Sequence, residues 1–296
     1  MKNKLLLSIL ITFQLLTSCN GPASKKSPIP RIELSQDFKN YWFSGEAEIT
    51  SYQLNQSRYG ENRTGTAVLI YVTEDFLKDQ QVKASGINKS NIPVIKLNST
   101  KKFTTGIYPY SIMQSVFSPL EGNSHAIKTS TSVQEWCGHA YTQINNRNEF
   151  EVSSHSYFEN EADQGFSLAP SYLENEIWTL LKIDPNLLPT GEIQMIPSLE
   201  SIRLNHFQIK AYLTEAEFYQ DGKLGVYKLY YPELKRSLSI YYQTSFPFKI
   251  EKWEEILEKN GKKELTIATK MADIKTAYWT KNSNIDLPLR KKLNLD

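Results

Sequence analysis

The chain has 296 residues, enough for one large domain or two small ones at about 150 residues per domain. Hydrophobic residues make up 40% and charged residues 22%, which excludes wholesale disorder, collagen and coiled-coil arrays. The 34 basic residues are nearly balanced by 32 acidic ones, so the charge gives no indication of nucleic-acid binding. Aromatic residues reach 12%, a composition that favours β-strands.

Residues 1–19 have the pattern of a lipoprotein signal peptide. Lys2 and Lys4 form a basic start, and residues 5–16 form an apolar stretch that is too short to span a bilayer. The following sequence, Leu16-Thr17-Ser18-Cys19, resembles a bacterial lipobox, in which the cysteine is acylated and becomes the first residue of the mature protein. The sequence therefore predicts Cys19 as a lipidation site that anchors the chain in a membrane. An ordinary signal peptide with a chance cysteine is the alternative.

The next segment, residues 20–36, contains small residues, prolines and lysines and predicts a flexible tether. Surface-exported lipoproteins of Bacteroidota carry acidic residues just after the cysteine, whereas Glu33 is the first acidic residue here. This difference favours a protein of the outer membrane that faces the periplasm. Cys137 is the only other cysteine. Because Cys19 is expected to be acylated, no intramolecular disulfide is available, and the fold depends on its hydrophobic core.

Strand patterns dominate residues 37–296, and no internal linker divides them, so we predict a single β-rich domain. Residues 64–73 are apolar on both faces and predict a central strand. Residues 250–257 and 264–271 flank Asn260-Gly261, a pair that suits a type I′ hairpin turn because both positions need positive φ. A short helix over residues 251–259 is the alternative.

One helix is indicated after Pro170. Ser171 and Glu174 have the spacing of a capping box, and Asp184-Pro185 ends the helix. The apolar face of this helix consists of Leu173, Ile177, Leu180 and Leu181. We therefore expect a mainly β fold, with one large curved antiparallel sheet or half-barrel and one amphipathic helix that packs on it or plugs it.

Residues 134–158 hold the most reactive side chains of the chain. On a strand, alternate residues share a face, so Glu135, Cys137 and His139 would lie together. A hairpin that sets His139 opposite His155 would add the second histidine. These four could hold Zn²⁺, with Glu135 as fourth ligand or base, or a histidine could activate Cys137 as a nucleophile. A purely structural role is the alternative, and because Cys-x-His is no recognised metal signature we predict no metal or cofactor.

Two further patterns are weaker. Residues 159–165 resemble the start of a calcium loop, but Pro170 stands where an EF-hand needs glutamate, so a solvated acidic turn is favoured. Arg58 and Arg63 flank a turn and could hold an anion between two guanidiniums, with a surface ion pair as the alternative. The sequence contains no P-loop, no Gly-rich dinucleotide turn, no His-Glu-x-x-His and no Gly-x-Ser-x-Gly.

Four segments resemble a group of Bacteroidota envelope lipoproteins often labelled "septum formation inhibitor Maf": residues 41–48, 58–61, 104–111 and 134–139. The resemblance covers most of the mature chain and implies an envelope lipoprotein. Maf nucleotide pyrophosphatases are cytoplasmic α/β enzymes with an N-terminal basic-and-serine phosphate motif and a catalytic aspartate. A lipobox and a strand-rich body stand in their place here, so the resemblance assigns no catalytic residue.

The sequence therefore predicts a lipid-anchored envelope protein that binds a ligand or has a structural role, without catalysis. The expected architecture resembles the half-barrels that shelter lipid in LolA-like carriers, and this implies an apolar ligand between the concave face and the helix. An envelope hydrolase or metal-binding enzyme centred on Cys137, His139 and His155 is the alternative. A scaffold that contacts an envelope protein complex is a third hypothesis.

Overall fold

The computed structural model describes residues 29–295. The predicted signal peptide, Cys19 and the predicted tether up to residue 28 lie outside the described residues. Ile29 and Ile32 are buried in the main core, so the packed part of the chain begins before residue 37. The helices and strands of the described chain are α1 (Gln36–Trp42), β1 (Ala47–Arg58), β2 (Glu61–Leu77), β3 (Val82–Lys83), β4 (Asn91–Thr105), β5 (Tyr108–Pro119), β6 (Lys128–Glu135), β7 (Gly138–Asn146), β8 (Phe150–Ser156), β9 (Gln164–Leu168), β10 (Tyr172–Leu173), α2 (Glu174–Ile183), β11 (Gly191–Ile196), α3 (Leu199–Asn205), β12 (Tyr212–Asp221), β13 (Leu224–Tyr231), β14 (Arg236–Gln243), β15 (Ile250–Lys259), β16 (Lys262–Thr276) and α4 (Pro288–Lys292).

All sixteen strands belong to one sheet. From edge to edge the order is β10-β11-β12-β13-β14-β15-β16-β1-β2-β4-β5-β6-β7-β8-β9, with β3 paired to the end of β2. Neighbouring strands are antiparallel except for β10 and β11. The two edge strands, β9 and β10, follow each other in the chain but do not pair, so the sheet stays open. The prediction of a mainly β protein built on one large curved sheet is confirmed.

Strand β2 lies near the middle of the sheet, as its apolar residues predict, and both of its faces are covered. Ala67, Leu69 and Tyr71 face the main core on the concave side. On the convex side Val72 joins a smaller cluster that includes Leu293 from the C-terminal segment. That segment explains why a strand of an open sheet is apolar on both faces.

The hairpin of β15 and β16 confirms the turn prediction and excludes the alternative helix. Lys259 pairs with Lys262 across a two-residue turn. Asn260 and Gly261 have φ values of 52° and 73°, the left-handed conformations that a type I′ turn requires.

Helix α2 forms as predicted, but it begins at Glu174 rather than near Ser171. Glu176, not Glu174, reaches back to the first turn, where its Oε1 accepts a hydrogen bond of 3.1 Å from the Leu173 N–H. The helix ends at Ile183, before Asp184-Pro185, as expected. Almost all of its residues are buried, so α2 plugs the curved sheet. No helix within residues 29–295 is long and apolar enough to cross a bilayer.

The two ends of the curved sheet differ. One end carries the tight β1–β2 and β15–β16 turns, at residues 59–60 and 260–261. A surface groove lies beside these turns, and we call this end of the sheet the groove end. The other carries the β5–β6 connection, and we call it the N-terminal end. The N–H of Ile32 donates to the carbonyl of Gly122 in that connection over 2.8 Å, so the chain enters the fold there.

Candidate functional site

The first charged cluster inside the sheet centres on Arg236, which is completely buried. Its Nη1 and Nη2 donate to the two carboxylate oxygens of Glu174 over 2.6 and 2.8 Å, and its Nε donates to Glu255 over 2.9 Å. The Tyr231 hydroxyl also donates to Glu174, over 2.7 Å. Burial raises the pKa of Glu255, but the Arg236 guanidinium outweighs this effect and holds the pKa below its ordinary value. The cluster joins α2 to β13, β14 and β15.

A second cluster joins β4 and β5 to α2 and α3. Lys101 Nζ contacts Glu200 Oε1 at 2.7 Å, and Gln114 donates to Glu200 Oε2 over 2.9 Å. Asn175 of α2 in turn donates to Gln114 over 2.9 Å. Burial raises the pKa of Glu200 even though Lys101 opposes the shift. Burial therefore disfavours the charged form of Glu200, and the contacts with Lys101 and Gln114 offset part of that desolvation cost.

The space between α2 and the sheet is almost completely filled. The cavity there measures about 30 Å³, the volume of a single water, and both charged clusters line it. The two other charged residues of α2 are paired as well, Glu176 with His125 at 2.7 Å and Lys182 with Glu48 at 2.8 Å. The expected apolar pocket between the concave face and the helix is therefore not present in the described chain. Ion pairs and side chains fill that space and fix α2 in place.

The predicted pairing of His139 with His155 is wrong. The segment of Glu135, Cys137 and His139, expected on one strand, is divided between β6 and β7 by a turn at Trp136-Cys137. In the β7–β8 hairpin, Tyr141 lies opposite His155, two residues from the predicted register. The turn is centred one residue later than expected, because the Arg147 N–H bonds to the Glu149 carbonyl.

The four candidate residues also lie on different faces of the sheet. Glu135 follows the concave alternation of Val133, whereas His139 and His155 are exposed on the convex face. His155 contacts Asp163 at 3.1 Å at the surface. No three His, Cys, Asp or Glu side chains within residues 29–295 form a group that could hold a metal ion. The convergence that the zinc and nucleophile hypotheses both require is absent.

Cys137 is exposed in the β6–β7 turn, where its N–H donates to Glu135 Oε2 over 2.7 Å. A hydrogen bond from the Cys137 thiol to the Glu135 carboxylate, with smaller effects of desolvation and of the negative charge, raises the pKa of the thiol. A raised pKa lowers the fraction of reactive thiolate at neutral pH, and this is the opposite of what a nucleophilic cysteine needs. Cys137 nevertheless lines a larger feature of the surface.

That feature is a groove of about 490 Å³ at the groove end. Its floor includes Glu200 and Glu255 from the buried clusters. Its walls come from the β1–β2 turn, the C-terminal end of α3, the β6–β7 turn and the β15–β16 turn. Tyr110 of β5 and Phe158, which follows β8, complete the lining, so the groove is assembled from six parts of the chain and opens to solvent.

One wall of the groove is formed by Arg58 and two tyrosines. The Arg58 guanidinium lies 4.3 Å from the centre of the Tyr59 ring and 5.5 Å from that of Tyr110. The two tyrosine hydroxyls are 2.9 Å apart. Arg58 Nη1 donates to the Leu204 carbonyl at the end of α3 over 2.5 Å. This network fixes the position of the guanidinium in the wall.

A second part of the wall repeats the combination of arginine and aromatic ring. The Arg203 guanidinium lies 3.9 Å from the centre of the Phe158 ring and contacts Glu161 at 3.2 Å. His206 shares this carboxylate through Nδ1 at 2.7 Å. Large apolar side chains are exposed at four turns of this end: Tyr59, Ile107, Trp136 and Tyr157. The groove therefore combines cationic, hydrogen-bonding and aromatic groups, a mixture suited to a polar ligand with rings.

Three residues that the sequence indicated as candidates, Arg58, Glu135 and Cys137, line this groove. The two buried charged clusters were not predicted. A signal was present, because Arg236 precedes Leu238 and Ile240 in strict alternation. A charged residue in phase with a buried apolar face indicates an internal ion pair. No comparable sequence pattern predicts the position of Arg203, because that position in the groove depends on how α3 packs against the sheet.

Comparisons with protein-family models, with curated proteins and with solved structures give no match to this chain. No matched protein therefore assigns a function to this site, and its residues alone indicate what it can bind.

Proposed function

We propose that this protein is a lipid-anchored binding protein of the cell envelope that holds a polar ligand in the groove and does not catalyse a reaction. The observation that carries the proposal is the 490 Å³ groove with its two guanidinium–aromatic pairs, Arg58 with Tyr59 and Arg203 with Phe158. The volume lies in the range of small-molecule sites. Groups held by packing and hydrogen bonds bind a ligand with little loss of conformational entropy.

The interior does not offer an equivalent site. The cavity beside α2 has room for about one water molecule, and paired charges surround it. Removing α2 from the sheet to admit a lipid would expose Glu174, Glu176 and Lys182 without their partners, at a cost of several kcal/mol. For this reason we place the ligand in the groove and not under the helix.

The position of the groove also supports a ligand from the periplasm. The nine residues between Cys19 and Ile29 span at most roughly 35 Å when fully extended. They join the fold at the N-terminal end, which is opposite the groove end. A protein anchored through Cys19 in the outer membrane would then point its groove away from that membrane.

Native mass spectrometry of the full-length protein, purified from envelopes in mild detergent, tests the proposal. We expect a bound small molecule on the wild type. Asn205→Trp places an indole in the groove and should remove this mass, whereas Lys223→Trp, an exposed turn position at the N-terminal end, should retain it. A wild type without a ligand, or a ligand that survives Asn205→Trp, would contradict the proposal.

A further inference from the structure

We infer that Arg58 forms a subsite for an anionic group, a carboxylate or a phosphate, on the ligand of this groove. The inference rests on the proposed function, because it assigns a chemical class to the ligand of the same site. The sequence indicated an anion site formed by both Arg58 and Arg63, whereas the present inference uses Arg58 alone. The structure separates these two residues, since Arg63 forms an ion pair with Glu61 at 2.7 Å.

Arg58 lacks the counter-ion that four other arginines of the fold possess. Arg63, Arg147, Arg203 and Arg236 each contact a carboxylate within 3.2 Å. Arg58 is only partly exposed, and no Asp or Glu within residues 29–295 approaches it within 4 Å. A partly desolvated guanidinium without an anion is a costly arrangement, and an anionic ligand would relieve that cost.

The hydrogen bonds of Arg58 leave donors available. Only the bond from Nη1 to the Leu204 carbonyl is short. Nη2 reaches the hydroxyls of Tyr59 and Tyr110 over 3.3 and 3.4 Å, near the limit for a hydrogen bond. Nε is buried without a partner in the described chain, as are the Nε atoms of Arg63 and Arg203, so the donors that remain available to a ligand are those of Nη2. A carboxylate or phosphate that takes the place of the weak phenol contacts could bind in the bidentate manner that a guanidinium favours.

The surroundings hold the guanidinium ready for such a partner. Tyr59 occupies a left-handed conformation, with φ of 58°, in the β1–β2 turn. A bulky residue is unfavourable there, whereas asparagine or glycine would fit without strain. The strained position lays the Tyr59 ring against Arg58, and strain of this kind tends to be kept at functional sites.

A structural role for Arg58 explains part of these observations. Its bond to Leu204 satisfies a carbonyl at the C-terminal end of α3, and cations stabilise that end of a helix. This role uses one of the five guanidinium donors and accounts for neither the long contacts of Nη2 nor the strained tyrosine. Lys259 and Lys262 line the same groove with no carboxylate within 4 Å, while Glu135 and Glu264 also line it. The groove lining therefore carries cations and carboxylates in similar number, and the subsite is assigned to Arg58 because of its hydrogen-bond geometry and not because of the net charge of the groove.

Calorimetric titration of the full-length protein in detergent at low salt tests the subsite. The probes are inorganic phosphate, glucuronate and, as a neutral control, glucose. We expect both anions to bind, and Arg58→Gln to weaken them roughly ten- to a hundredfold, since a charge-assisted hydrogen bond is lost. Arg147→Gln, the same change in an exposed turn at the N-terminal end, should leave binding unchanged. Vesicles of anionic phosphatidylglycerol and of net-neutral phosphatidylcholine test whether a lipid headgroup supplies the anion. Binding of the wild type to phosphatidylglycerol vesicles alone, lost in Arg58→Gln, would identify a lipid source.

Two further readouts keep the result interpretable. Arg58→Lys retains the charge but not the planar fork, so we expect intermediate anion binding from it. The thermal unfolding temperature of each variant measures separately how much the bond from Arg58 to the Leu204 carbonyl stabilises the fold. Equal anion binding by wild type and Arg58→Gln, or no anion binding by the wild type, would overturn the subsite. If Arg58→Gln keeps the native ligand that Asn205→Trp loses, the subsite fails while the proposed function stands.

Discussion

The buried contact between Arg236 and Glu174 gives the sharpest prediction about stability. Replacing Arg236 with methionine keeps the side-chain volume similar but removes the only cation that touches Glu174 and Glu255 within the described residues. The side chains of Arg236 and Glu174 are 0% and 2% exposed, so solvent cannot replace the lost partner. The variant would leave a carboxylate buried without compensation.

The size of the effect follows from this burial. Removing one partner of a buried ion pair costs about 3–5 kcal/mol, a large share of the roughly 5–15 kcal/mol that stabilises a typical domain. Arg147→Met breaks an exposed pair with Glu151 and serves as the matched control, with an expected cost below about 1 kcal/mol. Adding Glu174→Gln to Arg236→Met should recover at least about 1 kcal/mol, since the uncompensated charge is gone.

The cost should also depend on pH. In the wild type the pKa of Glu255 is held below its ordinary value of 4.5. Its contribution to stability is therefore present above that value and is lost as the pH falls through the lower folded pKa. Without Arg236, the largest effect that opposes burial is lost, so we expect the pKa of Glu255 to rise. The difference in stability between wild type and variant should be largest near neutral pH and shrink as the pH falls toward 4.5.

Guanidinium unfolding, followed by tryptophan fluorescence at a series of pH values, measures these differences. The reasoning about the interior would be refuted if Arg236→Met cost no more than Arg147→Met. It would also be refuted if the cost were the same at neutral pH and at the acidic end of the series. Either result would mean that the buried charges are not coupled as their distances indicate.

Two further predictions concern single positions. Gly65→Ala should destabilise the protein by about 1–3 kcal/mol in thermal unfolding, because the new Cβ would lie 2.1 Å from the Lys102 carbonyl oxygen. Gly165→Ala, with nothing within 4 Å of the new Cβ, should stay within about 0.5 kcal/mol, and equal effects would contradict the close approach. Glu135→Gln should speed the alkylation of Cys137 near neutral pH, because Glu135 raises the pKa of the thiol, and an unchanged rate would speak against that interaction.

The parts of the fold that local patterns determine were predictable. The Asn260-Gly261 turn follows from backbone preference at two adjacent residues, and apolar residues on both faces of residues 64–73 identified β2 as a central strand. The start of α2 was not predictable in this way. Glu174 has the spacing of a capping residue, but its partner Arg236 lies 62 residues further along the chain. Glu174 is therefore taken up by the buried ion pair, and Glu176 makes the contact to the first turn that the local sequence suggested for Glu174.

The site was harder to predict because no single segment contains it. Glu135, Cys137 and His139 were expected on one strand, but a turn at Trp136-Cys137 divides it. His155 was expected opposite His139, and a one-residue difference in the position of the next turn displaces it. The groove instead joins Arg58, from a turn near the start of the sheet, to Arg203 at the end of α3. Contacts between such distant segments depend on the curvature of the sheet, and residue patterns do not encode this curvature locally.

The most direct test of the proposed function is the reactivity of Cys137 with and without the native ligand. Cys137 is the free cysteine of the described chain and lines the groove, so a bound ligand should shield it from a maleimide. The account predicts slow labelling of protein isolated with its ligand and faster labelling once dialysis has removed the ligand or Asn205→Trp has excluded it. A ligand that is demonstrably bound yet leaves the labelling rate of Cys137 unchanged would show that the groove is not its site.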